Sequence, residues 1–223
     1  MNKTTLAYIL HSIPYTKKAY IIHSLAPMGR VAFFLPSISP KNKSYEYIKI
    51  PLVNVEITYN ELTTRQHLYK IDQIYLYSFP EMISEHILHS AVATFMTEII
   101  MKITPQDLYD TQLYDILTIF VDKLNKWEKI PNAFILSFMA NILEYLGILS
   151  RKNYSTIDAM PHYESLLNTM EYLYLQPINS QDDEITLPSS PYHLLNLTIQ
   201  YLQSQDILTS EIKSLKVLRE VFY

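Results

Sequence analysis

Apolar and polar residues follow two rhythms along this chain, and the change falls near residue 78. Before it, short runs of β-branched and aromatic residues with partial alternation predict strands. They are Leu6–Leu10, running to a turn at Pro14; Ala19–His23, ending at a break at Pro27-Met28-Gly29; Val31–Leu35; Tyr47–Tyr59; and Leu68–Tyr77. After Ser84 the period lengthens. Ile87, Leu88, Ala91, Val92, Phe95, Met96, Ile99, Ile100 and Ile103 form the apolar stripe of a helix that faces a core. Thr104-Pro105-Gln106-Asp107 reads as the start of the next helix, with threonine as N-cap and proline in the first turn. That helix carries Leu108, Ile116, Leu117, Phe120 and Leu124.

A further stripe runs through Phe134, Ile135, Phe138, Met139, Ile142, Leu143 and Leu146, with Gly147 as its stop. Tyr163, Leu166, Leu167, Met170 and Leu173 repeat the spacing. Residues 176–191 hold three prolines and an acidic trio, which predicts a loop. Ser190-Pro191 then caps a helix through Leu202, and a last helix follows Thr209. Five short strands with irregular connections suit a small closed barrel. The OB-fold is the commonest such barrel, and its strand face binds oligonucleotides. The predicted class is therefore α+β: an N-terminal OB-fold β-barrel over residues 1–78, followed by an all-α helical domain over 79–223.

Composition narrows the chemistry. Apolar residues at 48% can fill a core, so the chain is not read as disordered. With 2 glycines, no G-x-G-x-x-G or Walker-type phosphate loop is present. The lack of cysteine excludes disulfides, Cys-ligated zinc and thiol nucleophiles. The apolar run at the N-terminus is too short for a signal-peptide core, and Ile130–Leu143 falls short of a membrane span. A soluble intracellular protein is the default expectation. The net charge of −4 hides an asymmetry. Residues 1–78 carry nine Lys/Arg against four Asp/Glu, and the remainder nine against eighteen. A basic first third points to a polyanion partner for that part.

Within that third, Lys17, Lys18, Arg30, Lys41, Lys43 and Lys49 are interleaved with Tyr15, Tyr20, Tyr45 and Tyr47. Cations to neutralise phosphates and flat rings to stack on bases are what single-strand binding needs; the plain alternative is a solvated surface with scattered lysines. His86 and His89 sit at i, i+3 without an obvious carboxylate ligand, which favours capping or surface placement over metal. Asp182-Asp183-Glu184 reads as a solvated turn. No Ser-His-Asp order, paired carboxylates or H-E-x-x-H supports hydrolysis, so no catalytic residue is expected.

Particular residues carry a resemblance. Ala7-Tyr-Ile-Leu-His-Ser-Ile-Pro-Tyr15 is similar to the opening strand of RecO proteins. Ile21-Ile-His-Ser-Leu25 with Gly29-Arg30-Val31 is similar to that family's second strand, glycine turn and third strand. Leu52–Glu56 and Leu68–Asp72 fall where the last two barrel strands of the family lie. Phe138, Ile142, Leu143, Leu146 and Gly147 resemble its helix ending in Leu-Gly, and Ile212–Leu218 resembles its closing Lys-Ser…Leu signature.

The chain thus resembles the RecO family of bacterial recombination mediators, in a form without the four zinc-binding cysteines that many members carry. The resemblance implies a non-enzymatic, cofactor-free, metal-free cytoplasmic protein associated with the nucleoid. It implies binding of single- and double-stranded DNA, annealing of complementary strands, and help in loading RecA onto DNA covered by single-strand-binding protein. The implied protein partners are RecR and the acidic C-terminal tail of single-strand-binding protein. Leu146, Gly147 and Ile148, with Lys123 and Lys126 as cations, match the region of the tail pocket. The alternative reading is an interaction scaffold with an OB-like barrel and no nucleic-acid role.

Overall fold

The computed structural model describes residues 2–36, 47–60, 68–105, 110–149 and 161–222. Five strands, β1 (Asn2–Pro14), β2 (Tyr20–Ala26), β3 (Gly29–Leu35), β4 (Asn54–Asn60) and β5 (Leu68–Ser78), close into a barrel in the order β1-β2-β3-β5-β4. All neighbours are antiparallel except β3 and β5, which run parallel. This five-stranded closed barrel is the OB-fold expected from the strand pattern.

Alternation explains the closure. Along β4, Val55, Ile57 and Tyr59 are buried while Glu56, Thr58 and Asn60 are half-exposed, as a strand with one face on a core requires. The core gathers Ile9, Ile22, Val31, Phe33, Ile57, Ile71 and Ile74. Phe33, Tyr59 and Tyr69 pack as an aromatic trio, with ring centroids 5.2–6.2 Å apart. The β2–β3 connection is a two-residue hairpin at Pro27-Met28, after which Gly29 takes φ 101°, open to glycine at no steric cost. The run predicted as one strand over Tyr47–Tyr59 is a strand only from Asn54. Ile50 and Val53 donate back to the carbonyls of Tyr47 and Ile50, and Leu52 turns the chain at φ 60°. Ile48, Leu52 and Val53 are buried, so their apolarity serves a turn that enters the core, not a longer strand.

Seven helices follow among the described residues: α1 (Glu81–Glu85), α2 (Ile87–Ile103), α3 (Thr111–Lys126), α4 (Phe134–Tyr145), α5 (Pro161–Leu175), α6 (Pro191–Ser204) and α7 (Ser214–Phe222). Thr104 closes α2 and does not open α3. Its backbone N–H and its hydroxyl both donate to the Ile100 carbonyl, and Asp110 is the cap of α3, its carboxylate accepting from Leu113 N–H at 3.1 Å. Leu108 lies outside the described residues. Ser190 caps α6 as the sequence predicts, accepting from His193 N–H at 3.3 Å. The last helix begins at Ser214, five residues beyond Thr209.

The compact units do not coincide with the change from strands to helices. One comprises residues 1–125 with 214–221, the other 126–213 with 222–223. In the first, α2 is buried on almost every side, the condition of a central helix. Two polar anchors hold it: Arg30 of β3 donates to the Met101 carbonyl at 2.5 Å, and Glu98 accepts from Ser214 N–H and Oγ at 2.8 and 2.6 Å. In the second unit α4, α5 and α6 pack against one another around Phe134, Phe138, Leu143, Leu167, Leu195 and Leu202. Among the described residues, no helix is long and apolar enough to cross a membrane.

Candidate nucleic-acid interface

Strand register sets side chains in rows across the outside of the barrel. Ile13 pairs with Ile21, Ile21 with Phe34, and Phe34 with Lys70, so these four share one outward row over β1, β2, β3 and β5. A second row on the same face runs His11, His23, Ala32 and Leu68. Ile13 is 41% exposed, Phe34 and Ile21 are half-buried and Lys70 is exposed. Tyr15, 65% exposed, meets Phe34 edge-on at 5.7 Å. The result is an accessible apolar and aromatic strip with a cation at one end.

The β1–β2 turn supplies more charge. Thr16 Oγ1 accepts from the N–H groups of Lys18 and Ala19, at 3.3 and 3.0 Å, while Tyr15 and Thr16 donate to the Ala19 carbonyl. A hydroxyl that satisfies its own turn in this way fixes the backbone and leaves Lys17 and Lys18 projecting from it. Both are exposed. Tyr15, Phe34, Lys17, Lys18 and Lys70 thus occupy one region. Sequence reading missed Phe34 and Lys70; the signal that identifies them is the β3–β5 register, which no local pattern encodes.

Arg30 lies on the same face, but its guanidinium is directed at the carboxyl end of α2, where a cation complements the helix dipole. His23, beside it, has its pKa lowered by burial first, then by Arg30 and His11. Lys49 is exposed and lines a separate groove. Lys41, Lys43 and Tyr45 fall outside the described residues.

The predicted tail pocket divides differently. Leu146, Gly147 and Ile148 end α4 in a Schellman motif: Gly147 at φ 73°, Gly147 N–H to the Glu144 carbonyl at 2.8 Å, and Ile148 N–H to Leu143 at 2.9 Å. Leu146 and Ile148 are half-buried, so part of each side chain reaches solvent. Lys126 is exposed in the same unit; Lys123, whose ammonium lies 5.8 Å from the Phe120 ring, belongs to the other. His86 is exposed and His89 buried, their rings 5.4 Å apart. No group of three or more His, Asp or Glu residues suited to a metal occurs among the described residues. Asp183 caps its own turn, accepting from Asn179 and Ser180 N–H.

Comparison with known proteins bears on this geometry. Residues 84–151 match the model of the recombination protein O C-terminal domain. Two curated proteins named DNA repair protein RecO, from two strains of Porphyromonas gingivalis, are each 29% identical over 147 residues. The match covers 64% of this chain and 60% of each relative. A barrel closed in OB order, followed by helices that match this domain, is thus accompanied by similarity to RecO proteins over 64% of the chain.

Proposed function

We propose that the protein is a recombination mediator in DNA repair that holds single-stranded DNA on the outer face of its barrel. The observation that carries the reading is the row Ile13–Ile21–Phe34–Lys70, with Tyr15 upon it and the Lys17-Lys18 turn beside it. Phe34 and Tyr15 offer faces for base stacking, and Lys17, Lys18 and Lys70 neutralise phosphates without reading sequence. Lys41 and Lys43 join this set on sequence grounds, and Lys49 extends it. Arg30 serves the barrel–α2 contact first. Charge supports placing DNA on the first unit, with thirteen Lys/Arg against twelve Asp/Glu; the second has five against ten.

The similarity to RecO proteins supports the finer activities: binding of duplex as well as single strands, annealing, and help in loading RecA onto strands covered by single-strand-binding protein, with RecR as partner. None of these makes or breaks a bond. The acidic tail of single-strand-binding protein would meet the half-buried Leu146 and Ile148 around Gly147, with Lys126 as the cation.

Titration of a fluorescent oligothymidylate at two salt concentrations tests the DNA reading. Lys17→Ala with Lys18→Ala should weaken binding on every sequence. The slope of log affinity against log salt should flatten by about 1.4, roughly 0.7 for each phosphate no longer neutralised. Unchanged affinity and slope would reject the face.

A further inference from the structure

A groove of about 470 Å³ runs along β1 beside the barrel face, lined by Ile9–Ser12, Pro14, Tyr20, Ile48–Pro51, Thr94 and Thr97. Its origin is the change of partner along β1. That strand pairs with β4 through Asn2–Tyr8 and with β2 through Tyr8–Pro14, with a bulge between Ile9 and His11. Ile9 still exchanges hydrogen bonds with Leu52 and Val53. Beyond it, the β4 side of β1 has no strand partner among the described residues, and the turn over residues 47–53 and helix α2 stand back as the far walls.

Among the described residues the lining includes Lys49 and His11 and no carboxylate. One residue past Thr97, Glu98 has its charge committed to Ser214 and to Lys102, 3.8 Å away. Ser12 and Thr94 add hydroxyls, while Ile50, Pro14 and Pro51 add apolar wall. This combination suits an anion with a flat, weakly polar body. Two links join the groove to the barrel face. His11 belongs both to the groove and to the outward row His11–His23–Ala32, and Pro14 and Tyr20 flank the turn that carries Lys17 and Lys18.

We propose that this groove is a second segment of the single-strand path. A strand leaving the Tyr15–Phe34 face passes the Lys17-Lys18 turn and enters the groove, where Lys49 and the His11 N–H hold its phosphates. The inference rests on the DNA reading of the face and adds to it a longer site. The groove's size lies within the roughly 300–1,000 Å³ usual for small-molecule pockets, room for one or two nucleotides and not for a duplex.

The test uses the full chain, with oligothymidylates of about four and about twelve nucleotides, the lower and middle range for an OB-fold site. Lys49→Ala, an exposed position, should weaken the longer strand roughly five- to tenfold and leave the shorter one unchanged. His11→Gln should act in the same direction. Amide hydrogen exchange at Ile9–Ile13 and Ile48–Ile50 should slow with the longer strand and not with the shorter. If Lys49→Ala weakens neither length, or both equally, the groove is not a separate segment, although the face still binds DNA. If a polyglutamate peptide protects these amides and the longer strand does not, the groove is a peptide site and the inference falls. If wild type binds neither length, the reading of the face fails as well.

Discussion

Tyr114 and Tyr8 lie 5.5 Å apart where α3 meets the barrel, and each has its pKa raised, foremost by burial. For Tyr114 the value is pushed up to about 12. An acid whose folded pKa exceeds its unfolded value adds no pH dependence below about pH 10 and loses stability as pH rises from there through about 12. Tyr114→Phe should flatten that alkaline limb, read from urea midpoints between pH 9 and 11; an unchanged limb would contradict the buried environment. Gly147 gives a second test. At φ 73° a Cβ costs about 1 kcal/mol or more, so Gly147→Ala should lower the free energy of urea unfolding by that amount, and a neutral substitution would mean that α4 does not end in this motif. Gly147 was legible as a stop because a glycine after an apolar helical stripe has few other uses. Phe34 was not, because Phe33 and Phe34 look alike in sequence, and only pleating sends one inward and the other out.

Among the elements, those whose signals are local were read closely and those that depend on long-range contact were not. α2 spans Ile87–Ile103, matching its stripe, and Ser190 caps α6. Ser190→Ala should therefore cost about 1 kcal/mol, measured by denaturant unfolding. Thr104-Pro105 misled because threonine before proline serves helix ends as well as starts; the competing Ile100 carbonyl decides it. The stretch over residues 47–53 misled for a different reason. Its isoleucines, leucine and valine have strand composition, but they are needed to enter the core from a turn, and that demand comes from the barrel and not from neighbours in sequence. Phe33, fully buried within the aromatic trio, should be the most costly single truncation there. Phe33→Ala is expected to lose about 3–5 kcal/mol, enough to threaten the fold, and a loss under about 1 kcal/mol would contradict the trio.

For the whole molecule, sequence established the order of barrel and helices, while the division into compact units followed packing that sequence does not display. α7 comes last in the chain yet joins the first unit, because Glu98 receives both polar groups of Ser214. The charge asymmetry read along the chain is consequently shared out again. Some of the acidic helices belong with the barrel, and among the described residues Lys17, Lys18 and Lys70 project from its turn and outer face. The absence of cysteine excludes a four-cysteine zinc site, so native mass spectrometry should give the mass of the bare chain; one bound zinc would require histidine or carboxylate ligands.

On the proposed reading, DNA lies on the outer barrel face. Ultraviolet cross-linking to an oligothymidylate, followed by peptide mass spectrometry, reads the contact without relying on any variant. Adducts are expected on Tyr15 and Phe34, whose rings are the proposed stacking platforms. Adducts confined to residues 126–213, or spread evenly over both units, would contradict it.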